Sequence, residues 1–518
     1  MLENPALPTR LFRGDLSVIF YISLARLVLH VFVNLCCAYG YFRDELYYLA
    51  CSDHLAFGYV DQPALSIFIL KLSTLITGKS LVAIRLIPAM AGAATVFITG
   101  LITREMGGQK FAQFLACACS FSLITLAMDS YYSMNSIDIV LWAAVAYLLL
   151  KIIKTERPAW WIPLGIVLGL GLANKINVLF LGVGLFAGLV LTDQRKWLAT
   201  RWPYLAGAIA FVLFAPYVIW NATNNWPHLE FIHNASTKKY AGLTPIRFIL
   251  EQFLLNNPLA ALVWIAGIIG LLCMDILKKY RLLVFLFIGP LFIFLVNGTS
   301  KGEYLSPAYC VLWSSGAIVW ESITVGKWNG KAWRIAISTV IIIPMLILMP
   351  MVLPVLPVRD FIMYSKTLSI TPDSSEGKEL SKLPQFYADM FGWEEKTDAV
   401  YRAYQTLTPE EKRECIIYSD NYGRCGAIDL FGKPLGLPHA IGSHNNYWMW
   451  GSGNATGRII IVLGGNKEQL QQNFQTVEQV TVSTCRYCMP YENNVPVFIC
   501  RNIRVPLSEI WPRIKSFI

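Results

Sequence analysis

The chain has 518 residues, of which 55% are hydrophobic and 15% charged, with a mean hydropathy of +0.49. A soluble protein carries about 25% charged residues, so a plain soluble enzyme, a disordered chain and a small disulfide scaffold are excluded. The formal net charge of +10 would suit a nucleic-acid binder, but residues 1–356 hold 26 Lys+Arg against 16 Asp+Glu, while residues 357–518 hold 17 of each. The excess therefore sits wholly in the hydrophobic part, without a basic run, and no nucleic-acid partner is expected.

Eleven apolar runs follow one another in the first 356 residues: 16–39, 81–103, 111–128, 137–150, 160–172, 178–191, 204–220, 259–274, 282–296, 305–320 and 335–353. They predict an α-helical polytopic membrane domain over 1–356 with about 11 spans. Every second connection is basic. Arg10, Arg13, Arg104, Lys110, Lys151, Lys154, Arg157, Arg195, Lys196 and Arg201 begin this set; Lys278, Lys279, Arg281, Lys327, Lys331 and Arg334 complete it. The positive-inside rule puts these connections and the N-terminus in the cytoplasm, and an odd span number puts the tail outside. The first run reads as a retained span, since no small-residue cleavage pattern follows it.

The opposite connections hold the chemistry. The first, 40–80, is long and carries Arg43-Asp44-Glu45, His54 and Asp61-Gln62-Pro63, then an amphipathic stretch at 64–76 that suits the membrane interface. Asp44 could instead cap a helix, with Glu45 in its first turn, and His54 could be an interfacial hydrogen-bonding side chain. The second acidic cluster, 129–138, places Asn135 and Asp138 three residues apart, on one helix face. A salt bridge to a neighbouring helix is the bland alternative for Asp138. Lys175, Lys238-Lys239-Tyr240 and Lys301-Gly302-Glu303-Tyr304 fall at further outward turns, and Arg85 lies one turn inside the second run. Converging cations suit a phosphate, although Lys and Arg near span ends also snorkel to headgroups. A carboxylate for acid–base work and cations for a leaving phosphate together describe sugar transfer from a lipid carrier.

Residues 357–518 read as a soluble extracytoplasmic α/β domain, with strands at 414–419, 458–463 and 495–500 and a helix over 467–477. The glycine-rich stretch 451–457 precedes a strand, so it is a loop and not a dinucleotide fingerprint. The run 444–450 mixes aromatic and amide groups, suiting either carbohydrate stacking or packing on the membrane part. Cys485, Cys488 and Cys500 suggest one disulfide of unknown connectivity.

Tyr41-Phe42-Arg43-Asp44-Glu45-Leu46-Tyr47-Tyr48, with Gly58-Tyr59-Val60-Asp61-Gln62-Pro63, resembles bacterial glycosyltransferase family 39 proteins. These belong to the GT-C class with the protein O-mannosyltransferases and the lipid A aminoarabinose transferase. Residues 216–221, 301–307 and 421–429 are similar to the same group, and the resemblance spans nearly the whole chain. It implies a bacterial inner-membrane glycosyltransferase that takes a polyprenyl-phosphate-sugar donor. Transfer to a lipid, glycan or protein acceptor would occur at the outer face, with inversion. It also implies Asp44 as the catalytic carboxylate, assisted by Asp138 (Asp129 as the second choice), with Glu45 orienting. Lys175 and Lys301 would hold the donor phosphate; Arg43, His54, Asp61, Arg85, Asn135 and Tyr304 complete the expected substrate-binding set. Relatives usually show two prolines where this chain has Gln62-Pro63-Ala64. No Asp-x-Asp pair stands in the outer loops, so no metal or other cofactor is expected. The alternative function is a polytopic transporter or lipid flippase with an extracytoplasmic domain; its polar sites would lie near the bilayer midplane.

Overall fold

A computed structural model describes residues 16–37, 39–240, 242–370 and 378–518. The predicted cytoplasmic cations Arg10 and Arg13 lie outside the described residues. In chain order the first helices are α1 (Ser17–Cys36), α2 (Arg43–Asp53), α3 (Leu65–Thr77), α4 (Leu81–Glu105), α5 (Lys110–Cys119) and α6 (Leu123–Met128). They continue with α7 (Met134–Thr155), α8 (Trp161–Asn174), α9 (Val178–Leu191), α10 (Trp202–Thr223), α11 (Pro227–Asn234) and α12 (Pro245–Leu254). Then come α13 (Ala261–Cys273), α14 (Asp275–Lys278), α15 (Leu282–Asn297), α16 (Tyr309–Thr324) and α17 (Gly330–Leu348).

Each predicted apolar run coincides with one of these helices or a consecutive pair. Five helices are long and apolar enough to cross a bilayer alone, or up to seven if two bent pairs each count as one span, among the described residues. This differs from eleven full spans because polar residues cut the runs short. The run 111–128 breaks at Ser120–Ser122 into α5 and α6. Asn174 and Asn177 confine α8 and α9 to 14 residues each, about 21 Å of helix at 1.5 Å per residue.

Helix α7 is the central element, with 72% of its apolar window buried. Around it the helices close on small residues. A Cβ at Gly316 on α16 would run into the carbonyl of Val263 on α13, and one at Gly267 into the carbonyl of Leu312. Such small contacts let helix backbones meet in lipid, where apolar burial alone does not drive association. Deeper in the bundle, Arg26 Nη2 on α1 donates to Asp129 Oδ2 at 2.6 Å, with both side chains buried. Buried charge is tolerable only when paired in this way.

Beyond α17 the chain forms α18 (Val358–Thr367), α19 (Gln385–Ala388), α20 (Trp393–Gln405) and α21 (Pro409–Glu414). A five-stranded sheet follows, made of β1 (Cys415–Ser419), β2 (Ala440–Gly442), β3 (Ile459–Leu463), β4 (Phe474–Ser483) and β5 (Val495–Ile503). The strand order is β2-β1-β3-β5-β4; β1 runs parallel to β2 and β3, and β5 antiparallel to β3 and β4. Helices α22 (Tyr422–Ala427), α23 (Asn446–Trp450) and α24 (Lys467–Asn473) fill the connections. The helix expected over 467–477 stops at Asn473, because Phe474 and Val477 are taken into β4 opposite Ile503 and Cys500. Strands β2 and β4 were not predicted; β4 is largely solvent-facing and lacks a continuous apolar run.

The cysteines are unbridged, contrary to the expected disulfide. Cys500 packs with Ile460 and Phe474 on the sheet. Cys485 and Cys488 lie in the β4–β5 connection, where the Cys488 amide donates to Cys485 Sγ at 3.2 Å. The aromatic–amide run packs partly on the membrane part, through Asn446 and Trp450, and otherwise within the tail, where Tyr447 donates to Asp429 and Trp448 to the Trp511 carbonyl. Val60 N donates to Asn446 Oδ1 at 2.8 Å, and Trp450 stacks on His54 with ring centroids 4.3 Å apart.

Candidate active site

A cavity of about 710 Å³ opens where α2, the 58–63 turn, the α8–α9 junction, α11, the end of α15 and the tail meet. Its acidic side is built on α2. Glu45, the third residue of that helix, accepts from Phe42 N at 2.8 Å and so caps its own helix. The same carboxylate accepts from Arg85 Nε at 2.8 Å, Arg85 Nη2 at 2.7 Å and Tyr132 N at 2.8 Å, and is fully buried. Arg85 Nη2 also donates to the Gly40 carbonyl at 2.9 Å. This lock joins α2 to α4 and to the chain entering α7. It turns Asp44, the preceding residue, toward the cavity with 35% of its side chain exposed.

Asp44 Oδ1 accepts from Tyr422 Oη at 2.8 Å and lies 3.4 Å from Arg43 Nε. Arg43 also pairs with Asp389 of the tail at 3.5 Å. Asp61 follows on the turn after α2, where Tyr47 Oη donates to its Oδ1 at 3.0 Å. Burial lifts the Asp61 carboxyl to about 7; the Tyr47 hydroxyl works against this, and the charge of Asp44 adds to it. The rings of Tyr47 and Tyr422 sit 4.7 Å apart, so both acids stand on one tyrosine pair. His228 holds the turn by donating from Nδ1 to the Val60 carbonyl at 2.9 Å, and burial lowers its imidazole to about 4.

The basic side is also built on tyrosines. Lys175 caps the C-terminus of α8, donates to Asn135 Oδ1 at 2.7 Å and lies over the Tyr304 ring at 5.3 Å. Lys301 lies over Tyr240 at 5.5 Å and pairs with Glu303 at 2.7 Å. Burial disfavours the Lys301 ammonium, but Glu303 together with Tyr240 and Tyr304 more than offsets this and holds it above the usual lysine range. Lys239 lies over the same Tyr240 ring. Phe180, Phe231, Ile232, Ile293 and Phe294 supply an apolar wall beside these cations. The arrangement can therefore hold an anionic group next to a greasy chain, facing two carboxylates.

Of the residues selected from sequence, the cavity brings together Arg43, Asp44, Asp61, Asn135, Lys175, Lys301 and Tyr304. Four others stand elsewhere. Glu45 and Arg85 form the buried lock behind α2. His54 is stacked on Trp450. Asp138 lies beneath the wall, accepting from Asn177 Nδ2 at 2.7 Å and 4.0 Å from Lys175 Nζ. Asp129, the second choice, is spent on Arg26. Sequence reasoning missed Tyr422, Asp389 and Gln385 of the tail as site residues and reached Asn445 only within the aromatic–amide run; all four line the cavity. It also passed over Arg247, and noted Lys239 only as one of several outward cations. Among the described residues, no three His, Cys, Asp or Glu side chains gather as metal ligands do.

Residues 61–220 match the family described as dolichyl-phosphate-mannose-protein mannosyltransferase. The fold is similar to the crystal structure of ArnT from Cupriavidus metallidurans in the apo state, with a TM-score of 0.61 at 12% identity, covering 92% of this chain and 97% of that one. The same protein bound to undecaprenyl phosphate matches with a TM-score of 0.57, 12% identity and the same coverage. A comparison with curated proteins finds no match. A segment of under a third of the chain thus matches that family, while the fold of nearly the whole chain, a helical membrane part with a small sheet, is similar to that of ArnT.

Proposed function

We propose that the protein transfers a sugar from a polyprenyl-phosphate-linked donor to a lipid, glycan or protein acceptor at the outer face of a bacterial inner membrane, with inversion. The observation that carries this reading is the single cavity in which Lys175 and Lys301 border an apolar wall while Asp44 and Asp61 face the same space. The prenyl chain lies along Phe180 and Phe294, and its phosphate meets the lysines. ArnT from Cupriavidus metallidurans has been crystallised with undecaprenyl phosphate, which supports a donor of this kind. Residues 1–356 act as the transferase part and residues 357–518 as an extracytoplasmic domain that closes over it.

Asp44 takes the proton of the acceptor hydroxyl as its oxygen attacks the anomeric carbon on the face opposite the leaving phosphate. The lysines stabilise the charge that develops on that phosphate. Asp138 acts through Lys175 and Asn177, and Glu45 through the placement of α2, so both are positioning residues in this mechanism. An acceptor that is itself a phosphate needs no base, and Asp44 then orients it. No cofactor takes part, so activity survives chelation by EDTA.

The test is Asp44→Asn in full-length protein, assayed for release of polyprenyl phosphate from a lipid-linked sugar. A loss of about 10²–10⁴-fold in turnover is expected. Unchanged turnover in a folded, membrane-inserted variant overturns the mechanism.

A further inference from the structure

We propose that a second, basic cleft at the membrane end of the tail binds the phosphate of an anionic phospholipid headgroup. The cleft has a volume of about 700 Å³ and lies between α18 and the β4–β5 connection. Arg359, Lys366, Lys382 and Arg486 line it, and among the described residues no carboxylate does. Among the described residues, none of the four has a carboxylate partner within ion-pair distance; Arg486 rests on the Tyr487 ring at 5.3 Å. The tail as a whole is neutral, with 17 residues of each sign. Four cations around one cleft, with no counter-charge among its described lining, are therefore a local concentration, and mutual repulsion makes it a site for an anion.

Position and lining decide the source of that anion. Tyr364 on α18 donates to the carbonyl of Ile347 in the last turn of α17, so the cleft sits where a candidate span ends. Only 11% of the apolar window of α17 is buried, so its surface faces lipid. On α18 itself Met363 is 60% exposed. Within the cleft, Ile362, Ile370 and Tyr487 lie beside the cations. A free phosphate ion has no use for that apolar surface, whereas a phospholipid supplies acyl carbons and a phosphate at the same depth. The cleft shares no lining residue with the active cavity, so this lipid is neither donor nor acceptor.

The experiment uses the full chain in nanodiscs of mixed phosphatidylglycerol and phosphatidylethanolamine with identical acyl chains, read by native mass spectrometry after release. The wild-type protein is expected to retain phosphatidylglycerol about five-fold over phosphatidylethanolamine, and Arg359→Gln/Lys366→Gln/Lys382→Gln/Arg486→Gln to lose that preference. Lys366→Gln/Lys382→Gln, which alters two exposed side chains, is expected to lose part of it and serves if the quadruple variant does not fold. Equal retention of the two lipids by the wild type overturns the proposal, as does an undiminished preference in a folded variant. Full displacement by millimolar inorganic phosphate overturns the lipid as the source.

Discussion

Asp44 and Glu45 follow one another at the start of α2, where the helix turns successive side chains about 100° apart. Glu45 is turned into the protein and takes four hydrogen bonds, two of them from Arg85; Asp44 is turned into the cavity. Their substitutions should therefore separate. Glu45→Ala strands a buried guanidinium and is expected to cost about 3–5 kcal/mol, seen as a lower melting temperature. Asp44→Asn is expected to leave the melting temperature in place and remove turnover. Tyr422 lies between these cases, since its hydroxyl donates to Asp44 Oδ1. Tyr422→Phe is expected to lower kcat about 5–20-fold with donor KM unchanged, from the loss of one hydrogen bond to a charged group. Asp61 gives a pH dependence. Its folded value of about 7 lies above the usual aspartate value of about 3.9. The stability tied to its neutral form is therefore present below about pH 4 and lost as pH rises through 7. Asp61→Asn cannot ionise, so its melting temperature should fall less than the wild type's between pH 5 and pH 8.

At the scale of elements, the apolar helices were legible because each is a local concentration of apolar residues bounded by charge. Where a helix breaks was not: Ser120 and Ser122 satisfy backbone and side-chain groups within the bundle, and nothing in their spacing distinguishes a break from a continuous helix. The placing of Asp44, Lys175 and Lys301 at one face was legible from loop alternation alone, and the cavity unites them. The setting of Asp138 was not, because whether it reaches a cavity or stops at Asn177 depends on the rotation of α7 against the α8–α9 junction. Helix contacts also make a prediction. Gly316 on α16 leaves no room for a side chain against Val263 of α13. Gly316→Leu must separate these two helices, and overpacking of this kind costs about 1–3 kcal/mol or more. Lower yield of folded protein in detergent is the expected readout, with Gly207→Leu on α10, where a Cβ meets open space, as the tolerated control.

For the whole molecule the question is whether the tail is an appendage or part of the site. The sequence suggested a separate domain, because its charge density changes at about residue 357 while the contacts that bind it to the helices span hundreds of residues. Tyr422 meets Asp44 across 378 positions and Asn446 meets Val60 across 386; no local pattern records such pairs. The apolar contact is as extensive as the polar one. Tyr39, Phe42 and Tyr131 from the membrane part share one buried cluster with Phe361, Tyr387 and Met390 of the tail. The Arg43 amide donates to the Asp389 carbonyl at 3.0 Å, so α2 itself begins on a tail residue. If the tail were dispensable, a chain ending at residue 356 would keep its cavity. The contacts say otherwise: removal exposes the face of α2 that packs on α22, frees Asp44 from Tyr422 and opens the cavity to water. Water entry weakens every electrostatic interaction that the mechanism uses. The truncated protein is therefore expected to insert in the membrane yet lose activity by more than about 10²-fold, the range of a lost acid–base group. Supplying residues 357–518 as a separate chain should restore part of that activity, because the interface has its own apolar cluster. Activity within ten-fold of the full chain in the truncated protein would show that the site is complete without its tail.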